Sequence, residues 1–235
     1  MAFPNELGNS TARQLDDLSP ALIVPLGSTE QHGPHLPVDT DTRIANAVSR
    51  GMANRLGDPW LLAPAIAYGA SGEHQGFPGT VSIGTAALQL LLVEYGRSAF
   101  EWASRLVFVN GHGGNVAAVA AAVGLLRSEG RDVAWCPCSV PGADAHAGHT
   151  ETSVLLHISP GVVRQQEWVV GNEAPLAELM PRLREGGVAA VSAVGVLGNP
   201  TTASAVEGSR IFAAMVDSCT RRVATWLPGA GGLLQ

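Results

Sequence analysis

Residues 27–43 read GSTEQHGPHLPVDTDTR and place two His, one Glu and two Asp around two prolines. In an extended backbone, side chains two positions apart point to the same side, so Glu30 pairs with His32 and Asp39 with Asp41. Pro34 and Pro37 restrict the chain between them and reduce the entropy lost on fixing ligands. Carboxylate oxygen and imidazole nitrogen suit Zn2+, Mn2+ or Fe2+ rather than soft Cu+. The competing reading is a solvated polar loop with incidental His.

Three further segments carry chemistry of the same kind. NGHGGN (110–115) is a Gly-rich turn that either aims His112 into a cleft as a ligand or cradles an anion on its amides. It matches neither GxGxxG nor GxxxxGK[ST]. DAHAGHTETS (144–153) gathers His146, His149 and Glu151 within six positions; the plainer reading makes Glu151 a first-turn carboxylate facing a helix dipole. In YGASGEHQGFPGTVSI (68–83), Glu73 and His74 sit in a Gly-rich loop with Phe77 and Pro78 as an apolar wall, which suits lining of a substrate pocket better than ligation. Of the seven His, only His157 reads as an ordinary helix residue. No GxSxG elbow is present, and Cys136, Cys138 and Cys219 lie in apolar stretches, which argues against a Ser or Cys nucleophile.

These clusters need a frame. Apolar ALIVPL (21–26), 60–66, LVFVN (106–110) and 133–138 read as strands. Helical spacing covers 40–56, 85–103, an Ala-rich stretch to about 127, 151–157, and a C-terminal stripe of Phe212, Met215, Cys219, Val223 and Trp226. Strands alternating with helices predict an α/β fold with a parallel sheet covered on both faces. Ligands in such folds sit beyond the carboxyl ends of strands, where three of the polar clusters fall. A single domain over 1–235 is expected, with a mobile tail at 228–235.

Composition narrows the rest. Charged residues are 14% of the chain, hydrophobic ones 46%, and the net charge is −6. All 14 basic residues are Arg, with no basic stripe, so nucleic acid is not expected. No membrane span or signal peptide is read, and reduced core cysteines fit a cytoplasmic protein. A weakly charged surface fits a homo-oligomer.

GSTEQHGPHLPVDTD, EHQGFPGT, VNGHGGN and HAGHTETS together resemble the creatininase family of metal-dependent amidohydrolases. GVLGNPTTASAVEG (195–208) is also similar to it. The resemblance implies a three-layer αβα sandwich, usually a hexamer. It implies two divalent metal ions (Zn2+, Fe2+ or Mn2+) held by Glu30, His32, Asp41, His112 and Glu151, with Asp41 bridging. His146 resembles an active-site His near the leaving group; His146 or His149 would be the general acid, and Glu151 a ligand or acid/base. His35, Glu73, His74 and Phe77 would line the pocket.

One departure stands out: creatininase proper carries Glu where Gly114 lies here, as in NGHYEN, which makes creatinine a poor substrate expectation. AIAYGASGEHQGF, LLVEYGRSA and DAHAGHTETS are more similar to a peptidase branch of the family. That branch implies a substrate that is a modified, ribosomally made precursor peptide, trimmed at its C-terminus with a metal-activated water during redox-cofactor biosynthesis. The alternatives are a hydrolase of a small cyclic amide or formamide, and a non-catalytic metal-binding assembly subunit.

Overall fold

ALIVPL is apolar at every position because both faces of its strand are covered. In a computed structural model, which describes residues 5–235, all six of these residues are buried. The elements run α1 (Ala12–Leu15), β1 (Ala21–Leu26), α2 (Thr40–Leu56), β2 (Trp60–Leu62), α3 (Gly84–Ala99), β3 (Arg105–Asn110) and α4 (Val116–Ser128). They continue through β4 (Val133–Pro137), α5 (His149–Ile158), α6 (Leu176–Gly186) and α7 (Ala205–Thr225).

The four strands form one parallel sheet in the order β2-β1-β3-β4. Alternate strand residues feed two cores. Leu22, Val24, Leu26, Leu106 and Phe108 pack with Leu88, Leu92 and Val119 of α3 and α4. Ile23, Val107, Val109 and Cys136 pack with Val48, Leu155, Val216 and Cys219 of α2, α5 and α7. The architecture is the expected αβα sandwich.

The structure differs from the expectations at three places. The strand expected over 60–66 stops at Leu62, before Pro64, which has no N–H for a ladder; Ile66 returns only as an isolated bridge to Leu26. The tail at 228–235 is not loose. Leu234 is fully buried and donates its N–H to the Trp135 carbonyl, while Trp135 Nε1 donates to Gly231. Finally, α6 was not foreseen, because Pro181 in its interior interrupts the helical pattern.

Candidate metal centre

The carboxyl ends of β1, β3 and β4 open onto one buried polar cluster. After β1 the chain makes a short turn in which Glu30 N–H donates to Val38 O, so the segment folds back and leads into α2. Asp41 then lies in the first turn of α2, 2% exposed, facing Glu30 and His32. After β3, Asn115 fastens the site: its side chain donates to Gly27 O and Asn110 Oδ1 and accepts from Ala70 N. That fixes His112 between the strand and the EH turn at Gly72–His74. Beyond β4, Ala147 adopts a left-handed backbone (φ 53°) and donates its N–H to Glu151 Oε2 at 2.6 Å. Non-glycine residues in that region carry strain of about 1 kcal/mol or more, typical of constrained sites.

The distances are short. Asp41 Oδ1 is 3.0 Å from His32 Nε2, and Asp41 Oδ2 is 3.2 Å from His112 Nδ1. Glu151 Oε2 lies 3.8 Å from His32 Nε2. Glu30 Oε2 is 3.1 Å from His112 Nε2, and Glu30 Oε1 is 3.2 Å from His74 Nε2 and 3.7 Å from His146 Nδ1. Three triads bring ligand atoms within 4.8 Å of one another: Glu30–His32–Asp41, Glu30–His74–His146 and His32–His146–Glu151. His112 is in none of them; it meets Glu30 and Asp41 through opposite ring nitrogens.

Glu30 tests whether a cation fits. It is fully buried, and neither carboxylate oxygen receives an aligned hydrogen bond despite the nearby imidazoles. An uncompensated buried ion costs several kcal/mol, while a typical hydrogen bond returns only about 1 kcal/mol. A divalent cation satisfies such a carboxylate, and the surrounding N/O donor set suits Zn2+, Mn2+ or Fe2+.

The electrostatics agree. Burial raises the Glu30 carboxyl to about 7, with Asp41 adding to the rise. Burial likewise raises Glu151 to about 7. Burial alone would lower His32, but the Asp41 charge and hydrogen bond outweigh it and lift the ring to about 10. The same contest lifts His112 to about 9. Asp41 itself is held well below the carboxylate range: burial opposes this, and His32 and His112 overcome it. Protonated imidazoles thus supply the positive charge that the carboxylates demand. His74 and His146 go the other way, lowered by burial and by the neighbouring positive rings, His74 to about 3.

Hydrogen bonds fix which nitrogen each ring offers. A carbonyl can only accept, so His32 Nδ1 donates to Glu30 O at 3.1 Å and Nε2 faces the carboxylates. His146 Nε2 donates to Gln31 O at 2.8 Å, which leaves Nδ1 facing Glu30. Ser28 Oγ donates to Asp41 Oδ2.

The expected site residues divide. Glu30, His32, Asp41, His112, His146 and Glu151 converge. His74, expected only as lining, belongs inside the cluster. His149 does not reach it: as the first residue of α5 it turns away, and its Nδ1 pairs with Thr202 Oγ1 at 2.8 Å. His35 is fully buried behind the cluster, its Nε2 on Thr152 Oγ1 and its Nδ1 without a partner, so it lines no pocket. Phe77 is also outside the cavity wall. The apolar wall comes instead from Leu176, Met180 and Leu183 of α6.

Sequence reasoning passed over Gln31. Its Nε2 lies 2.9 Å from His74 Nδ1 and 3.0 Å from Gly195 O, and its Oε1 accepts from Gly33 N. Its place between Glu30 and His32 was the available signal.

A parallel αβα sandwich with this imidazole–carboxylate cluster at its strand ends defines an α/β metallohydrolase. The family model for creatininase (creatinine amidohydrolase) matches residues 5–223. The chain belongs to the creatininase family and is a hydrolase acting on C–N bonds. It is 68% identical to the mycofactocin precursor peptide peptidase of Mycolicibacterium smegmatis, over 100% of this chain and 96% of that protein. Among solved structures it is similar to a mutant creatininase of Zn–Zn type (TM-score 0.79, 25% identity, 97% of this chain and 100% of that chain). It is equally similar to a creatininase with Mn (TM-score 0.79, 25% identity, 96% and 100%).

Proposed function

We propose that this chain is a metal-dependent peptidase that cleaves the modified C-terminal portion from a mycofactocin-type precursor peptide. The observation that carries the substrate class is the cavity over the cluster. It measures about 790 Å³ and reaches from Glu30, His112 and Glu151 to the α6 wall of Leu176, Met180 and Leu183. Leu176 is 47% exposed, so the cavity opens to solvent along that wall. Such a space takes a peptide segment with apolar side chains; a small cyclic amide needs far less room and a closed site. The 68% identity to a protein of that name supports the same substrate.

Two divalent ions, Zn2+, Mn2+ or Fe2+, would be held among Glu30, His32, Asp41, His112 and Glu151. Cations there supply Lewis acidity toward water and toward the scissile carbonyl. The chain's own groups do the rest. Asp41 turns Oδ1 to His32 and Oδ2 to His112. Glu30 O holds His32 Nδ1–H and so keeps Nε2 available. Gln31 keeps His74 in place through its side chain and His146 through its backbone carbonyl. His146 Nδ1, turned toward Glu30 by the Nε2–H bond to Gln31 O, accepts the proton of the attacking water. It returns that proton to the departing nitrogen as the C–N bond breaks. The apolar residues exposed on the outer faces of α3 and α4, such as Leu90 and Leu125, support assembly as a homo-oligomer, a hexamer by family resemblance.

The deciding experiment is mass spectrometry of the enzymatically modified precursor peptide incubated with metal-loaded protein and with a chelated control. Release of a small C-terminal fragment only in the loaded sample is expected. No cleavage with metal bound overturns the peptide reading in favour of cyclic amides or formamides.

A further inference from the structure

Glu73 sits on the EH turn between β2 and α3, lines the cavity and is 34% exposed. Its carboxylate makes no hydrogen bond to another described side chain or backbone group; its nearest imidazole is His112, with Oε1 3.5 Å from Nε2. The same Nε2 is 3.1 Å from Glu30 Oε2, the buried oxygen that lacks an aligned donor. Neighbouring ligand atoms around a cation at bond lengths of 2.0–2.2 Å are separated by about 3 to 3.6 Å. Both spacings, 3.1 and 3.5 Å, are edges of that size; Glu30, His112 and Glu73 do not all lie within 4.8 Å of one another, so Glu73 reaches a cation there by swinging inward.

Gly114 adds an independent observation. A Cβ at this position would lie 2.5 Å from Glu73 Oε1, 2.5 Å from His112 Nε2 and 2.3 Å from Ala70 O. The space beside His112 that a side chain at 114 would enter, as the glutamate of NGHYEN would, is therefore occupied by the Glu73 carboxylate arriving from another loop.

We infer that Glu73 is a further metal ligand, completing the Glu30–His112 side of the centre from the open cavity. Its solvent-facing position gives the carboxylate freedom to swing onto a cation as it arrives. His112 Nε2 faces both glutamates and also lies 3.2 Å from Ala70 O, and a cation there would take the place of that hydrogen bond. The inference rests on the metal reading of the site but not on the identity of the peptide.

The test uses the full-length protein stripped of metal and titrated with Co2+, whose visible absorption reports coordination. Glu73→Gln keeps the size of the side chain and weakens its donor. It is expected to lower affinity for the weaker-bound ion by about 10–100-fold and to change the Co2+ spectrum, with the fold intact by circular dichroism. Glu73→Asp, which keeps the carboxylate, should recover part of the affinity. An unchanged Co2+ titration and spectrum in Glu73→Gln overturn the inference, even if turnover falls. Failure of the peptide reading shows separately, as unaltered Co2+ behaviour in wild type without cleavage of the peptide. A wild-type chain that takes up no Co2+ overturns both.

Discussion

His32 Nε2 lies 3.0 Å from Asp41 Oδ1, with neither side chain more than 2% exposed. At that depth Asp41 must be balanced by a positive partner, and in the metal-free chain His32 and His112 provide it. Asp41→Asn keeps the shape and removes the charge. Metal affinity should fall by more than the roughly 10–100-fold that loss of an outer hydrogen-bonding partner costs. Metal analysis after dialysis and peptide turnover should fail together. Normal metal content with retained turnover would remove Asp41 from the centre.

Gln31→Ala makes a different demand. The side chain donates to His74 Nδ1 and Gly195 O without offering a charge, while His146 is held by the Gln31 backbone carbonyl, which alanine keeps. Metal content should persist while kcat drops by about 10–100-fold, because the His74 ring beside the cluster loses its orientation. Gln31→Glu should not rescue, since a carboxylate cannot donate to His74 Nδ1. Wild-type kcat in Gln31→Ala would show that the ring holds its place without it.

Much of this site was legible because its residues sit in short, ordered segments after strands. Glu30, His32, Asp41, His112 and Glu151 come from three such segments, and the parallel topology brings strand ends together. What the sequence hid was direction. His149 is three residues from His146, and in an extended loop either could face the cleft. α5 begins at His149, however, and the helical turn sends its ring toward Thr202. His35 shares a motif with His32, yet the tight turn around Gly33 points it back into the core. The α6 wall was illegible for the opposite reason: Pro181 and a run of charged residues obscure a helix whose Leu176, Met180 and Leu183 face the cavity.

Acid–base linkage gives the metal-free chain a specific pH profile. His32 and His112 are raised from 6.5 to about 10 and about 9, so their contribution is fully present below pH 6.5 and is lost as pH rises through those values. Glu30 and Glu151, raised to about 7, lose theirs between pH 4.5 and 7. Metal-free protein should therefore lose stability from pH 7 to 9. At roughly 2–4 °C per kcal/mol for a chain of this size, the shift is readable by thermal denaturation. Metal ligation requires the same rings deprotonated, so binding at pH 7.5 should release protons. Calorimetry in buffers of different ionisation enthalpy measures that release; a buffer-independent enthalpy would contradict it.

Gly27 marks the point where β1 meets α2. A Cβ there would lie 2.3 Å from Thr42 Oγ1 and 2.4 Å from Thr42 Cα. Backbone cannot yield as a side chain can, so Gly27→Ala should destabilise by about 1–3 kcal/mol through overpacking. Because Thr42 adjoins Asp41, metal affinity should fall as well. A melting temperature equal to wild type would mean that the α2 start can slide away from the strand.

The two histidines of HAGH separate a positioned proton carrier from a bystander. His146 has Nε2–H committed to Gln31 O, its ring 4.3 Å from those of both His32 and His74, and Nδ1 facing Glu30. His149 is outside this stack. His146→Ala should keep a folded chain and lose kcat by about 10²–10⁴-fold, the usual worth of a positioned acid–base group. His149→Ala should turn over at nearly the wild-type rate, since its ring points away from the cluster and pairs with Thr202 Oγ1. Side-by-side measurement of kcat and metal content reads both. Equal losses in the two variants would mean that α5 rearranges on loading and brings His149 inward. Loss of metal in His146→Ala would instead make Nδ1 a ligand, as the His32–His146–Glu151 triad permits, and would transfer the proton to another group.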